Sequence, residues 1–241
     1  LHSASQSLNM AEDAHIDKQT DHKQNRPIPS GVISADEARA LAWIFMFAGI
    51  TRAFTLNIQF GVFAVVLSFF GVFYNLAPIR AKEILWVNLV WQAVSRGLIL
   101  YPAAFAVWGA WDSPVAWGMG IVAFFLVLSL QNSADLPDME MDEKYDVITP
   151  AVYHGPRRLV VIMASIAAVM FGLFAVLVIA NIIPNFWLVY LLIVPISVSL
   201  LQLWRNPHGT SDISGQSTVW YAYYGSLASL YILPAIQLLY F

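Results

Sequence analysis

Long apolar stretches recur along most of this chain and constrain its fold more than any other feature. A helix needs about 20 largely apolar residues to cross the hydrocarbon core of a bilayer. Stretches such as FGVFAVVLSFFGVF and VVIMASIAAVMFGLFAVLVIA are apolar on every side, which is typical of helices in lipid or in a bundle core. Only helices and closed β-barrels pair all their backbone polar groups in a bilayer. The alternation of apolar and polar residues that is typical of strands does not persist in this chain, so helices are predicted. The sequence therefore predicts an all-α integral membrane protein.

Seven segments qualify as spanning helices and predict a transmembrane bundle. They lie at about 37–56, 58–78, 84–109, 113–132, 158–180, 183–204 and 218–240. Charged residues make up 11% of the chain, whereas a soluble domain carries about 25%, so a soluble fold is excluded. The net charge of −3 is too small to indicate a nucleic-acid partner. The chain has no cysteine, which excludes disulfides, thiolate catalysis and cysteine-ligated metals.

The connections between these segments alternate in charge. The charged ones are 1–36, 79–83, 133–157 and 205–217. Ten of the 12 Lys and Arg residues lie in them or at their edges, the exceptions being Arg52 and Arg96. Positively charged loops stay in the cytoplasm, so all four connections are predicted to be cytoplasmic. The same connections and their edges hold 14 of the 15 acidic residues, an excess that topology does not explain.

Two of the charged connections contain acidic residues at helical spacing. The first cluster consists of Asn9, Asp13 and Asp17, continued by Asp21. The second consists of Asp135, Asp138, Asp142 and Asp146, with Pro137 in the predicted first turn of a helix. Spacings of three and four place each cluster on one helical face, where like charges repel unless a cation neutralises them. Oxygen ligands suit a hard cation, Mg²⁺ first, which commonly also binds substrate phosphates. Two such clusters predict a diphosphate held between two metal groups.

Basic residues near these clusters are candidate phosphate ligands. Arg26 follows the first cluster, and another predicted helix end carries Tyr74, Arg80 and Lys82. Arg and Lys side chains can bind the phosphate oxygens that metals leave free. For Arg80 and Lys82, membrane topology alone explains the charge equally well.

Arg96 lies in the middle of the predicted span 84–109, where a charge is costly and should face the interior of the bundle. Asn88 and Gln92 precede it at spacings of four, so the three side chains form one polar stripe. The stripe is either a pocket for a second substrate or the place where a structural Arg96 pairs with a carbonyl or a loop acid.

In combination, these motifs resemble the UbiA family of intramembrane prenyltransferases. The family's first motif, N-x-x-x-D-x-x-x-D followed by R-P-x-x-S-G, is matched by Asn9, Asp13 and Asp17 and by RPIPSG from Arg26. Its second motif, D-x-x-D-x-x-x-D, is matched by Asp135, Asp138 and Asp142. YNLAPIRAK matches a family Tyr that is followed by Arg and Lys. Because the stretch before Arg26 is longer than in the family, either Asp17 or Asp21 could be the third ligand.

The resemblance implies a single domain over residues 1–241 with the nine-helix fold of the family. The family motifs follow its second and sixth helices, whereas here one precedes the seven predicted spans and the other follows the fourth. The resemblance therefore implies seven of nine spans, with about two helices missing at the N-terminus.

The resemblance also implies Mg²⁺-dependent transfer of a polyprenyl group from polyprenyl diphosphate to a small aromatic acceptor, as in prenylquinone biosynthesis. The implied catalytic residues are Asp13, Asp17, Asp135, Asp138 and Asp142, which with Asn9 are also the metal ligands. The implied diphosphate ligands are Arg26, Tyr74, Arg80 and Lys82. The acceptor pocket predicted from the polar stripe, and not from the resemblance, consists of Asn88, Gln92 and Arg96.

Several alternatives remain open at this point. DLPDMEMD, the Arg96-Gly97 pair and YAYYGSLASLYILP resemble the homogentisate-type branch most, but chlorophyllide and glycerol-phosphate prenyltransferases share the main motifs. Outside the family, acidic residues in a helical bundle could serve an ion-coupled secondary transporter, although such sites usually lie near the membrane midplane within internal repeats. A catalytically inactive assembly factor is disfavoured by the intact acidic clusters.

Overall fold

The structure is a computed structural model that describes residues 1–19, 23–137, 139–144, 147–206 and 218–240. Within these ranges the regular structure is helical, without strands. The α-helices are α1 (His2–Glu12), α2 (Ala14–Asp17), α3 (Ala35–Leu56), α4 (Ile58–Asn75), α5 (Val87–Ala93), α6 (Leu100–Ala106), α7 (Pro114–Leu130), α8 (Met139–Lys144), α9 (Pro150–His154), α10 (Pro156–Ile179), α11 (Ile193–Arg205) and α12 (Thr218–Tyr240). Three 3₁₀ turns (Ala81–Glu83, Gln131–Ala134, Trp187–Leu192) and a π turn (Val94–Leu98) complete them.

Six helices in the described part of the chain are long and apolar enough to cross a membrane. They are α3, α4, α7 with its following 3₁₀ turn, α10, α11 with its preceding 3₁₀ turn, and α12. Large apolar side chains such as Phe47, Ile179 and Val194 are exposed on their outer faces. That surface suits lipid and not water, so the prediction of an all-α integral membrane protein is confirmed.

The predicted span 84–109 is not one continuous helix. It is divided into α5, the π turn and α6, none of which alone is long enough to cross a bilayer. The amide of Ile99 donates to the carbonyl of Val94 at 2.9 Å, a step of five residues. Pro102 lacks an N–H, and its ring crowds the carbonyl of Leu98 four residues earlier, which interrupts the regular helix. The described residues thus contain six continuous spanning helices and one interrupted helix, and not seven continuous spans.

The main core surrounds α7. Of its apolar stretch 61% is buried, against 17–33% in the other five spanning helices. α7 packs against α10, the π turn, α5, α6 and α12. Val122 and Leu126 of α7 and Met163 and Phe174 of α10 are fully buried members of this core. Because α7 is central, its C-terminal end and the 3₁₀ turn that follows are held against the interrupted helix.

α1 belongs to the bundle, which corrects the prediction that residues 1–36 form only a cytoplasmic connection. Ala4 and Leu8 lie four residues apart on one face of α1 and pack against Ala42 and Met46 of α3. Ser5 donates a hydrogen bond to the carbonyl of Gly71 in α4 at 3.2 Å. Only one face of α1 is apolar and the opposite face is polar, so its sequence does not have the composition of a span.

The π turn approaches α7 closely at two glycines. A Cβ atom on Gly97 would lie 2.5 Å from the backbone of Phe124. A Cβ atom on Gly120 would lie 2.5 Å from the carbonyl oxygen of Leu98. Any other residue at either position would push the two backbones apart, so these glycines fix the position of the turn that carries Arg96.

Replacing Gly97 with Ala is therefore expected to lower the free energy of unfolding by about 1–3 kcal/mol, the usual cost of overpacking. Thermal unfolding of the purified protein in detergent measures this change. Gly172→Ala in α10 is the matched control, because nothing lies within 4 Å of its Cβ position, and it should be neutral or slightly stabilising. Equal melting temperatures for Gly97→Ala and the parent would contradict the close approach.

Candidate functional site

The first acidic cluster lies where α1 ends and α2 begins. The amide of Asp13 donates to the carbonyl of Asn9 at 3.0 Å, and that of Asp17 donates to the carbonyl of Asp13 at 2.9 Å. The helical path therefore continues through the junction. Asn9, Asp13 and Asp17 all line one cavity, as expected for residues on one helical face. Asp21, the alternative third ligand, lies outside the described residues.

The second acidic cluster does not share one helix, which corrects the prediction for this segment. Asp135 follows the 3₁₀ turn Gln131–Ala134, whereas Asp142 lies in α8. Pro137 disfavours a helical conformation for Leu136, which is buried in the main core, and α8 begins only at Met139. Asp135 and Asp142 nevertheless line the same cavity as the first cluster. Asp138 and Asp146 lie outside the described residues.

This cavity has a volume of about 560 Å³ and brings together side chains from distant parts of the chain. Its lining includes the five cluster residues Asn9, Asp13, Asp17, Asp135 and Asp142. It also includes the predicted diphosphate ligands Arg26, Tyr74, Arg80 and Lys82 and the predicted acceptor residues Asn88, Gln92 and Arg96. Every predicted site residue that the structure describes therefore lines this one cavity.

Basic and acidic side chains are in direct contact around Asp13 and Asp17, which we call the acidic end of the cavity. Arg26 pairs with Asp17 at 2.9 Å, and the Asp17 side chain is only 3% exposed. Lys82 pairs with Asp13, and both side chains are largely buried. Arg80 pairs with Glu83 at 2.6 Å in a more exposed position. This arrangement places oxygen donors next to cations that can bind phosphate.

The donor set fits a hard divalent cation, since carboxylate and carboxamide oxygens are the ligands that Mg²⁺ prefers. Asn9, Asp13 and Asp17 supply such oxygens from the α1–α2 junction, and Asp135 and Asp142 supply them from the segment after α7. In the part of the chain that the structure describes, no three Asp, Glu, His or Cys side chains are grouped closely enough to form a metal site.

A hydrogen-bonded triad of Tyr74, Asn88 and Gln92 lines the same cavity as Arg96. The Gln92 side-chain amide donates to the Tyr74 hydroxyl at 3.0 Å and to Oδ1 of Asn88 at 2.9 Å. The Tyr74 hydroxyl lies 3.3 Å from the same Asn88 oxygen. Tyr74, which was predicted as a diphosphate ligand, is thus hydrogen-bonded to two residues of the predicted acceptor pocket.

Several residues that line the cavity were not predicted from the sequence. They include His2, Ser5, Gln6, Lys23, Gln131, Ser133, Thr149 and Tyr224. Those on α1 could have been found, because His2 and Gln6 continue the helical spacing of Asn9 and Asp13 towards the N-terminus. Gln131 follows an apolar helix and carries no motif, so only the folded structure identifies it.

Comparison with known proteins decides the family. The model of the UbiA prenyltransferase family matches residues 1–215 of this chain. The chain belongs to this family. Membership disfavours the secondary transporter that the sequence left open.

Curated relatives in the UbiA family include proteins that act on different acceptors. The chain is 33% identical over 163 residues to a probable chloroplastic homogentisate phytyltransferase 2 of Oryza sativa subsp. japonica, covering 63% of this chain and 41% of the relative. It is 26% identical over 175 residues to a digeranylgeranylglyceryl phosphate synthase of Methanosphaera stadtmanae, covering 72% of this chain and 60% of the relative. The chain thus spans 41–60% of the length of these relatives.

Solved UbiA homologues share the fold. The apo structure of a homologue from Aeropyrum pernix K1 matches with a TM-score of 0.78 at 18% identity, covering 99% of this chain and 84% of that one. A homologue from Archaeoglobus fulgidus bound to DMAPP and Mg²⁺ matches with a TM-score of 0.70 at 18% identity, covering 97% of this chain and 83% of that one. The helical bundle described above is therefore the UbiA fold.

Proposed function

We propose that this UbiA-family chain forms the active site of a Mg²⁺-dependent membrane prenyltransferase. In this proposal a polyprenyl group moves from polyprenyl diphosphate to a small aromatic acceptor. The observation that carries the proposal is the single cavity lined by acidic residues from both clusters together with Arg26, Arg80 and Lys82. A diphosphate needs both metal ligands and direct cationic donors, and this cavity offers both within one bundle.

The acidic end of the cavity is the proposed diphosphate site. The proposed metal ligands are Asn9, Asp13, Asp17, Asp135, Asp138 and Asp142. Bound Mg²⁺ would supply positive charge that stabilises the leaving diphosphate. Arg26 and Lys82, which contact Asp17 and Asp13, are close enough to the same site to donate charge-assisted hydrogen bonds to phosphate oxygens. Arg80 and Tyr74 border the site and are proposed to complete it.

For the rest of the reaction, the acceptor must be oriented and water must be kept away from the reacting carbon. The allylic C–O bond breaks and its electron pair leaves with the diphosphate, while an electron-rich carbon of the acceptor forms the new bond and loses its proton. The triad of Tyr74, Asn88 and Gln92 lines the same cavity as the proposed diphosphate ligands and is proposed to orient the acceptor. The apolar bundle around the cavity strengthens electrostatic interactions and excludes water from the reacting carbon.

An aromatic acceptor is supported by two relatives named for homogentisate. Besides the rice protein, the chain is 30% identical over 163 residues to a chloroplastic homogentisate solanesyltransferase of Arabidopsis thaliana. A glyceryl phosphate acceptor is the second candidate, since the archaeal relative is named for that product. The charge asymmetry of the connections supports a site that opens to the cytoplasm.

Transfer assays in nanodiscs test the proposal. The protein is incubated with Mg²⁺, labelled geranylgeranyl diphosphate and either homogentisate, 4-hydroxybenzoate or a glyceryl ether phosphate. We expect a labelled prenylated aromatic product that disappears when EDTA removes the metal. A product formed only from the glyceryl phosphate would favour the second candidate. Unchanged product formation in excess EDTA, or no binding of the prenyl diphosphate, would contradict the proposed function.

A further inference from the structure

A second cavity lies between α10 and α11 and is called here the α10–α11 groove. Its volume is about 440 Å³. Both helices contribute to its lining, which includes Val161, Ala164, Ser165, Ala168, Leu200 and Trp204. Val161 is 52% exposed and Trp204 is 48% exposed, so the groove opens towards the surroundings of the bundle. Among the described residues, none lines both this groove and the cavity of the acidic clusters.

The wall of the groove suits a hydrocarbon chain. Ala164 and Ala168 lie four residues apart on one face of α10, where their small side chains leave room beside the helix. The Ser165 hydroxyl donates to the carbonyl of Val161 at 2.9 Å, so its hydrogen bond is made within its own helix. The sequence that follows α11, NPHGTSDISGQS, contains one large apolar residue and is too polar to fill such a groove.

The groove lies in one leaflet of the bilayer. Its residues belong to the first half of α10 and the last turns of α11, which places it at the end where α10 begins and α11 ends. Val161 and Ala168 are separated by about 10 Å along the helix, which is less than half of a hydrocarbon core of about 30 Å. Trp204 lines this end, and tryptophan is typical of the level of the lipid headgroups.

Three arginines lie at the same end of these two helices. Arg157 precedes Val161 by four residues, so it lies on the face of α10 that lines the groove. Arg158 follows it directly, and Arg205 follows Trp204 at the end of α11. All three are exposed, and neither helix contains an acidic residue. The groove therefore ends beneath a cluster of positive charge.

These arginines differ from the arginine at the start of α3. Arg39 pairs with Glu12 at 2.9 Å and with Asp36 at 2.7 Å. Within the described ranges, none of the arginines at the α10–α11 end forms an ion pair with an acidic side chain. Membrane topology explains positive charge at this end of the bundle, but it does not explain an apolar groove directly below that charge.

We propose that the α10–α11 groove binds an anionic phospholipid, with an acyl chain in the groove and the phosphate against Arg157, Arg158 and Arg205. Guanidinium groups bind phosphate with paired hydrogen bonds, and basic pockets between membrane helices recognise anionic headgroups. A zwitterionic lipid carries the same phosphate, but its own cation competes with the arginines. The site is separate from the proposed prenyl transfer and does not depend on it.

A second copy of the chain is a less suitable occupant. Ala164, Ala168 and Gly172 would allow another helix to approach α10 closely. In a two-fold dimer within a membrane, however, both copies have the same orientation, so the same end of α10 meets its counterpart. The arginines of the two copies would then lie side by side and repel each other. An anionic lipid neutralises this charge instead.

Quenching of Trp204 fluorescence by brominated lipids tests the proposal. The protein is placed in phosphatidylcholine nanodiscs that contain increasing fractions of dibrominated phosphatidylglycerol or dibrominated phosphatidylcholine. The difference between the parent and Trp204→Phe isolates the signal of Trp204. We expect the brominated phosphatidylglycerol to quench Trp204 at lower fractions than the brominated phosphatidylcholine does.

Variants of the arginines test the headgroup site. Each arginine near an anionic surface contributes about fivefold in affinity, so Arg157→Gln should lower the preference for phosphatidylglycerol about fivefold. Replacing all three arginines with Gln should remove the preference, whereas replacing all three with Lys should keep most of it and preserve membrane topology. Arg52→Gln is the control, because Arg52 is exposed on α3, donates to Thr55 and does not line the groove.

A filled groove tests the acyl-chain site with all three arginines in place. Ala168→Phe should remove most of the preference, because the side chain occupies the space of the lipid chain. Val169→Phe is the matched control and should leave the preference unchanged, since Val169 is exposed on the same helix but does not line the groove. An unchanged preference in Ala168→Phe would show attraction of headgroups without a groove and would overturn the proposal.

Three other results would also overturn it. Equal quenching of Trp204 by both brominated lipids in the parent would mean that the groove does not select a headgroup. Displacement of the brominated phosphatidylglycerol by inorganic phosphate would mean that the arginines bind a free anion. Cross-linking that shows a dimer in the parent and a monomer in Ala168→Phe would mean that a second copy covers the groove.

Discussion

Replacing Asp13 with Asn is expected to lower the rate of prenyl transfer by about three orders of magnitude, because charge stabilisation by a metal is worth several kcal/mol. Asp13 lies at the α1–α2 junction, borders the cavity and contacts Lys82. Asparagine has nearly the same shape but no charge, so the helix should persist while metal binding is lost. Initial rates at saturating labelled prenyl diphosphate, measured over a range of Mg²⁺ concentrations, give the effect.

Glu12→Gln is the control for this prediction. Glu12 precedes Asp13 directly, but it pairs with Arg39 at 2.9 Å and is not among the residues that line the cavity. A substitution away from the site should change the rate by about twofold at most. If Asp13→Asn kept the parental rate, or if Glu12→Gln lost as much activity, the acidic cluster would not be the metal site.

Replacing Lys82 with Gln is expected to reduce transfer by about 100-fold, as for the loss of one electrostatic donor to a developing charge. The Lys82 side chain is 10% exposed and borders the cavity beside Asp13. Its loss should also weaken binding of the prenyl diphosphate, which titration of the labelled substrate measures. Lys18→Gln is the control, because Lys18 is exposed just after α2 and does not line the cavity.

The combined Asp13→Asn and Lys82→Gln variant separates a structural ion pair from a functional one. Each single variant leaves one charge without its partner, whereas the combined variant leaves neither. We therefore expect the combined variant to regain part of the thermal stability lost in the single variants and to remain as inactive as Asp13→Asn. Recovery of the transfer rate together with stability would show that the pair serves only the fold.

Much of the fold could be predicted from local sequence, but the segments around the site could not. The observed α3 and α10 end within two residues of the predicted boundaries, because long apolar runs have one stable arrangement in lipid. The spacing of Asn9, Asp13 and Asp17 predicted a helical face, but the packing of α1 in the bundle was not predicted, since a helix with one polar face lacks the composition of a span. The interruption at Val94–Leu98 was also missed, because a proline within an apolar run does not reveal how neighbouring helices will accommodate it.

The sequence by itself determined the membrane bundle, the UbiA family and the residue types of the candidate site, because apolar runs and motif spacing are local properties of a chain. Only the tertiary structure decided which of these residues share a space. It placed Asp135 and Asp142 at the same cavity as the first cluster although they do not share a helix. It also brought Gln131 to Arg96 across 35 positions of sequence. Such contacts depend on how closely helices pack. Here, glycines let the π turn approach α7. The spacing of residues within one helix carries no information about the packing between helices.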